Sequence, residues 1–269
     1  MSRAGNLVGA GVLALALTIS AYAQAPSRPA APAPSLARPL AALTARPLVP
    51  DAKAGAKPVT KPVTKPVNCR RVKCVALTFD DGPVPQTKAV LDALKKKGAR
   101  ATFFVLGTLA KQNPAVLRRM LQDGDAIGNH SWDHAMFSRL STPAIKRELK
   151  RTQAVIWSAT GTKSHLVRIP YGENDPRLRK AAATSVQSAS VLWSVDTLDW
   201  KYRNAATVTR NVMRAVRPGS IVLMHDIHPT TRAAVPGIIS RLQAKGYVLV
   251  TVEELFNGHL KAGKVYFRR

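Results

Sequence analysis

The chain has 269 residues and carries 41 Lys plus Arg against 15 Asp plus Glu, a formal net charge of +26. With an export segment and a linker set aside, that length leaves room for about one ordinary domain and excludes a second catalytic one. From Cys69 onward there are 33 basic and 14 acidic residues, so the folded part itself is drawn to polyanions. No helix-turn-helix, zinc-finger spacing or RNA-binding aromatic pattern accompanies this charge, which sets specific nucleic-acid binding aside and leaves anionic wall polymers and lipid surfaces.

Residues 1–23 read as a secretory signal peptide, with Arg3, an apolar run from Leu7 to Ile19, and Ala21-Tyr22-Ala23 as the cleavage site. The run is short and Ala-rich for a bilayer span, so no stable membrane span is expected after cleavage. Residues 24–67 are dominated by Pro, Ala, Lys and Thr and contain KPVTKPVTKPV from Lys57 to Val67. Such a segment cannot bury enough apolar area to offset its ordering entropy and reads as a disordered, semi-stiff spacer. The domain then occupies 68–269, and the exported product is expected to be secreted, periplasmic or associated with the cell wall. In that setting Cys69 and Cys74 favour a disulfide, with free thiols or an unrelated metal pair as the alternative.

Past residue 68 short apolar runs alternate with amphipathic ones. Val72 to Phe79 predicts a strand, Gln86 to Lys97 a helix closed by Gly98, and Ala101 to Leu106 a second strand. Asn113-Pro114 opens a helix with Val116, Leu117, Met120 and Leu121 on one face; Thr142-Pro143 opens another with Ile145, Leu149, Thr152 and Ile156. Further strands are expected at 165–169, 191–195, 220–224 and 247–250, with helices over 205–216 and 233–245. Repeated strand-then-helix units imply a parallel sheet covered by helices. A distorted α/β barrel is the expected architecture, with a doubly wound sheet as the alternative.

In such barrels working residues collect at the carboxyl ends of strands, and polar clusters fall there: Asp80-Asp81, Asp196 and Asp199, and His225-Asp226. Adjacent carboxylates repel unless a cation separates them, although Asp-Asp-Gly is also a common turn. His130 and His134, four apart, would lie on one face of a helical turn and suit one metal ion. Position 131 is Ser where the zinc peptidases have their glutamate base, so a base must come from elsewhere. Surface histidines flanking Trp132 are the bland reading.

Taken in order, Thr78-Phe79-Asp80-Asp81-Gly82, His130-Ser131-Trp132-Asp133-His134, Arg168-Ile169-Pro170-Tyr171, Asp196-Thr197-Leu198-Asp199-Trp200 and Leu223-Met224-His225 resemble the motifs of the NodB-homology polysaccharide deacetylases, carbohydrate esterase family four. The resemblance covers about residues 72 to 257. It implies a NodB-type (β/α) barrel and a hydrolase that removes acetyl groups from N-acetylglucosamine units of peptidoglycan or chitin-like oligomers. An O-acetyl xylan esterase or a non-catalytic wall-binding protein are the alternatives. By the same resemblance Asp81, His130 and His134 hold a divalent metal, Zn²⁺ first, with Co²⁺ or Mn²⁺ able to take the same ligands. Asp80 is the general base, oriented by Arg168; His225 protonates the leaving amine with its pKa raised by Asp199. Tyr171 supplies a backbone N–H to the oxyanion, and Trp200 and Leu223 wall the acetyl pocket.

Overall fold

The computed structural model describes residues 57–60, 62 and 66–269, all within one compact unit that spans 48–269. The expected signal peptide and most of the expected spacer lie outside the described residues. Among these residues no helix is long and apolar enough to cross a membrane. Within the KPVT repeat, the Val59 amide donates to the Thr160 carbonyl (2.9 Å) and its side chain packs against the core. Cys69 and Cys74 form a disulfide.

Strand β1 (Lys73–Asp80) is followed by α1 (Thr87–Lys96), β2 (Ala101–Val105), α2 (Gly107–Gln112), α3 (Pro114–Gln122) and β3 (Ala126–Asn129). Next come α4 (Thr142–Thr160), β4 (Leu166–Val167), α5 (Pro176–Val186), β5 (Ala189–Val191) and β6 (Val195–Asp196). The chain ends with α6 (Asp199–Tyr202), α7 (Ala205–Ala215), β7 (Ile221–His225), α8 (Pro229–Ala244), β8 (Tyr247–Leu249), α9 (Val252–Leu255) and β9 (Val265–Tyr266). The strand expected over 191–195 is therefore two strands, broken at Leu192–Ser194. That break matters for the architecture. All strand pairings are parallel, in the order β6-β7-β1-β2-β3-β4-β5-β9, with β8 on the lower part of β1. Strands β5 and β6 stand near opposite ends of this path yet are joined by three residues, whose four Cα steps reach at most about 14 Å. The sheet must curl to let them meet, giving a distorted barrel rather than an open doubly wound sheet.

Alternation along β1 sends Val75, Leu77 and Phe79 into the core beneath the helices, while Ala76, Thr78 and Asp80 point to the other face. Register places Leu223 beside Thr78 and His225 beside Asp80, so these four residues share the barrel interior. Local capping holds the helices in place. Helix α4 is capped by the Ser141 hydroxyl, one residue before the expected Thr142, and ends at Gly161 in the left-handed conformation. Asn113 stands at the cap of α3, but its side chain instead donates to the carbonyls of Pro83 (3.2 Å) and Leu109 (3.0 Å), tying the helix to the loop after β1.

Candidate metal and catalytic site

Strand β1 ends at Asp80, and Asp81 turns the chain with φ of 71°, a left-handed conformation that throws its carboxylate sideways toward the end of β3. There His130 and His134 approach it. The Asp81 Oδ1 atom lies 3.4 Å from Nε2 of each histidine. All three candidate ligand atoms fall within 4.8 Å of one another.

The two histidines do not sit on a helical turn. Residues 130–134 are irregular, with Ser131 and His134 at φ of 74° and 67°. Polar side chains hold this loop in place of helical bonds. Asn129 Oδ1 accepts from Ser131 N (3.0 Å), Ser131 Oγ from His134 N (3.0 Å), and Glu148 Oε2 from Trp132 N (3.1 Å). The same ligands converge by a different backbone path. His130 Nδ1 donates to the Arg168 carbonyl (2.6 Å), which leaves Nε2 as the unprotonated nitrogen facing Asp81.

Whether these residues fit a divalent ion can be tested on their spacing. Ligand atoms about 2.0–2.1 Å from a tetrahedral ion stand about 3.3–3.4 Å apart, the separation found here between Asp81 and each histidine. Asp81 Oδ1 is buried and makes no hydrogen bond, as a ligand atom should. Electrostatics agree. Burial opposes charge on His130, but the neighbouring Asp80 and Asp81 outweigh it and raise its pKa. Burial also works against the Asp81 carboxylate, and the surrounding histidines bring it down to about 2. The carboxylates thus draw positive charge to His130, whereas burial and the neighbouring His130 lower the pKa of His134 and keep it a neutral donor. His134 is half-buried, with its ring edge-on to Tyr171 at 4.6 Å.

Asp80 is 3% exposed and stands beside the ligands, its Oδ2 3.6 Å from His130 Nε2. Its Oδ1 accepts from Arg168 Nη1 at 2.7 Å. Arg168 is fully buried and donates also to Thr78 Oγ1 (2.8 Å) and to the carbonyls of Val191 (3.0 Å) and Leu192 (3.0 Å). Its guanidinium lies 4.1 Å from the centre of the Phe104 ring. The break between β5 and β6 thus has a use: it turns carbonyls inward to satisfy a buried cation.

A second pair flanks the first across the β1–β7 ladder. The buried Asp199 carboxylate accepts from His225 Nδ1 (2.8 Å), His225 N (2.7 Å), Thr231 Oγ1 (2.7 Å) and Trp200 N (2.9 Å). Burial raises its pKa, but these bonds, His225 first, win and lower it. Burial likewise opposes charge on His225, yet the hydrogen bond and charge of Asp199 push it up to about 9. His225 is therefore an imidazolium at neutral pH, able to give a proton.

Tyr171 (61% exposed) and Trp200 (48%) border the site, whereas Leu223 is buried on the interior face beside Thr78. Sequence reasoning missed Thr231, which completes the Asp199 shell, and Trp193, which packs on Gly172, where a Cβ would meet its ring at 2.8 Å. It also missed His228, whose ring centre is 5.7 Å from that of His225. Asp226 is fully buried and bonded to the Thr87 hydroxyl; burial pushes its pKa up to about 6. A Cβ on Gly82 would lie 2.7 Å from its Oδ1, so a larger residue in the turn after Asp81 would force the Asp226 carboxylate to shift.

Residues 67–186 match the family model described as polysaccharide deacetylase. The chain is 43% identical over 196 residues to the peptidoglycan-N-acetylglucosamine deacetylase PgdA of Listeria monocytogenes, covering 72% of this chain and 41% of that protein. It spans about two-fifths of that relative's length. The solved structure "T48 deacetylase with substrate" superimposes with a TM-score of 0.71 at 42% identity, over 74% of this chain and 99% of the other. A family 4 acetyl xylan esterase from Clostridium thermocellum, solved with a cobalt ion, matches with a TM-score of 0.67 at 35% identity, over 73% of this chain and 98% of its own.

Proposed function

The chain belongs to the NodB-homology polysaccharide deacetylases, carbohydrate esterase family four, and on that premise we propose that it is a metal-dependent hydrolase that removes acetyl groups from N-acetylglucosamine units of peptidoglycan or chitin-like oligomers. The observation that carries this reading is the convergence of Asp81, His130 and His134 beside two buried charge pairs, Asp80 with Arg168 and Asp199 with His225. A pure binding protein has no use for either pair, and burying them unrewarded would destabilise the fold.

Asp81, His130 and His134 would hold a divalent ion, Zn²⁺ first and Co²⁺ or Mn²⁺ as substitutes, which when bound supplies Lewis-acid polarisation of the acetyl carbonyl and acidifies the attacking water. Asp80 accepts the proton from that water, and Arg168 Nη1 holds its carboxylate in place. His225 donates its Nε2 proton to the departing amine nitrogen, and Asp199 holds the ring by Nδ1 so that Nε2 points outward. The backbone N–H of Tyr171 is assigned to the oxyanion, and Trp200 with Leu223 to the walls around the methyl group.

The imidazolium favours the amide reading over an O-acetyl ester, since an amine leaves only when protonated. The basic body favours an anionic polymer such as peptidoglycan over neutral chitin oligomers. The leader read in residues 1–23 is the support for an exported protein, secreted, periplasmic or wall-associated. Acetate release should be measured with added Zn²⁺ on peptidoglycan, chitin oligomers and acetylxylan. The reading expects turnover on the N-acetylated polymers and its loss in Asp80→Asn. Turnover on acetylxylan alone would assign the site to an esterase, and none on any polymer would leave a binding protein.

A further inference from the structure

The basic surplus of the domain is sorted by the parallel sheet. Residues that follow β1, β3 and β7 gather at the catalytic pole, and residues that lead into β1, β7 and β8 gather at the other. Segments 68–73, 214–220 and 243–247 lead into β1, β7 and β8, and the chain returns to the same place at 267–269. They meet there. Lys73 pairs with Tyr247, Gly219 N donates to the Cys74 carbonyl (2.9 Å), Ser220 bridges to Arg268, and Arg269 N donates to the Gly219 carbonyl (3.0 Å).

Together these four segments contain eight Lys or Arg and no Asp or Glu, so no carboxylate of their own neutralises the patch. Arg70, Arg71, Lys73 and Lys245 are exposed. Glu253 and Glu254 border the patch beside Asn68, and Glu254 is bound to Arg100 at 2.7 Å. An ordinary structural reason covers part of the charge, because Arg214 and Lys245 lie at helix C-termini where cations complement the helix dipole. It does not cover Arg70, Arg71, Lys73, Arg268 or Arg269, which lie outside helices.

Two exposed apolar side chains stand among these cations: Val72 (43% exposed) between Arg71 and Lys73, and Phe267 (57%) next to Arg268. A phosphate-bearing polymer in water would satisfy the charges but offer nothing for Phe267 to enter. A bilayer offers both anionic headgroups and an apolar boundary.

We propose that this pole is a docking face for an anionic phospholipid bilayer. The seven steps of β1 from Lys73 to Asp80, at about 3.3 Å each, put the metal site about 23 Å above it. A molecule seated this way turns its catalytic pole away from lipid and toward polymer. The inference is independent of which acetyl group is removed.

The test uses the full chain with vesicles of phosphatidylcholine containing roughly 30% phosphatidylglycerol, neutral vesicles setting the background. Sedimentation should show binding to the anionic vesicles. Arg70→Glu/Arg71→Glu/Lys245→Glu should weaken it at least about tenfold, while Arg147→Glu/Lys150→Glu/Lys180→Glu, an equal charge change on exposed sites of α4 and α5, weakens it far less. Phe267→Ser should weaken binding with charge unchanged. Far-UV circular dichroism and turnover of soluble oligomers should stay the same in all three variants. Equal loss in the two triple variants would reduce the effect to net charge and overturn the proposal. So would failure to bind anionic vesicles, or binding to soluble polyphosphate as tight as to vesicles with Phe267→Ser indifferent.

Discussion

The two buried charge pairs of the site differ in what they can do. Arg168 keeps one charge state at any pH a protein survives, and its donors are committed to Asp80, Thr78 and two carbonyls. Nothing in that pair is free to move. Asp199 is bonded just as fully, but its partner His225 is a group whose charge changes near neutrality, with 13% of its side chain open to solvent. Positioning and proton delivery are thus assigned to separate pairs on neighbouring strands, and the two should fail in distinguishable ways.

The sharpest break is on the fixed pair. Asp80→Asn should lower kcat for acetate release by about 10³ to 10⁴, because the amide cannot take a proton from water. His225→Ala should cost about 10² to 10³ in kcat, with a smaller effect on KM. Asp199→Asn distinguishes the pairs more finely. The wild-type rate should fall as pH rises through about 9, where His225 loses its proton; in this variant the alkaline limb should move toward acid, as a kcat against pH profile would show.

Stability gives a second contrast. A histidine whose pKa is raised from 6.5 to about 9 on folding stabilises fully below about 6.5 and loses its contribution as pH passes about 9. That contribution is up to about 3 kcal/mol, and urea melts between pH 6 and 10 should show it. Arg168→Met should destabilise by about 3–5 kcal/mol at neutral pH, since it strands a buried carboxylate. The smallest effect is expected at the rim, where Trp200→Ala should change KM by about tenfold or less and leave the melts unaltered.

Much of the site could be read from residue order alone, because each motif is local. Asp80-Asp81 at the end of an apolar strand, and His225 at the end of another, carry their meaning within a few residues. The histidine loop shows the limit. A spacing of four predicts a helical turn, yet Asn129, Ser131 and Glu148 satisfy the backbone of an irregular loop, and the rings converge regardless. Short elements escaped for a similar reason: β4, β6 and β9 have two residues each, too few for a period to register.

The sequence by itself determined the composition of the parts: a basic single domain, alternating strands and helices, and the chemical types gathered at strand ends. Only the tertiary structure decided partners. That Arg168 is satisfied by the carbonyls of Val191 and Leu192, that Thr231 completes the shell of Asp199, and that four distant basic segments share one pole all follow from strand register and barrel closure. These bring together residues tens to hundreds of positions apart, and no local pattern of side chains encodes which of them will meet.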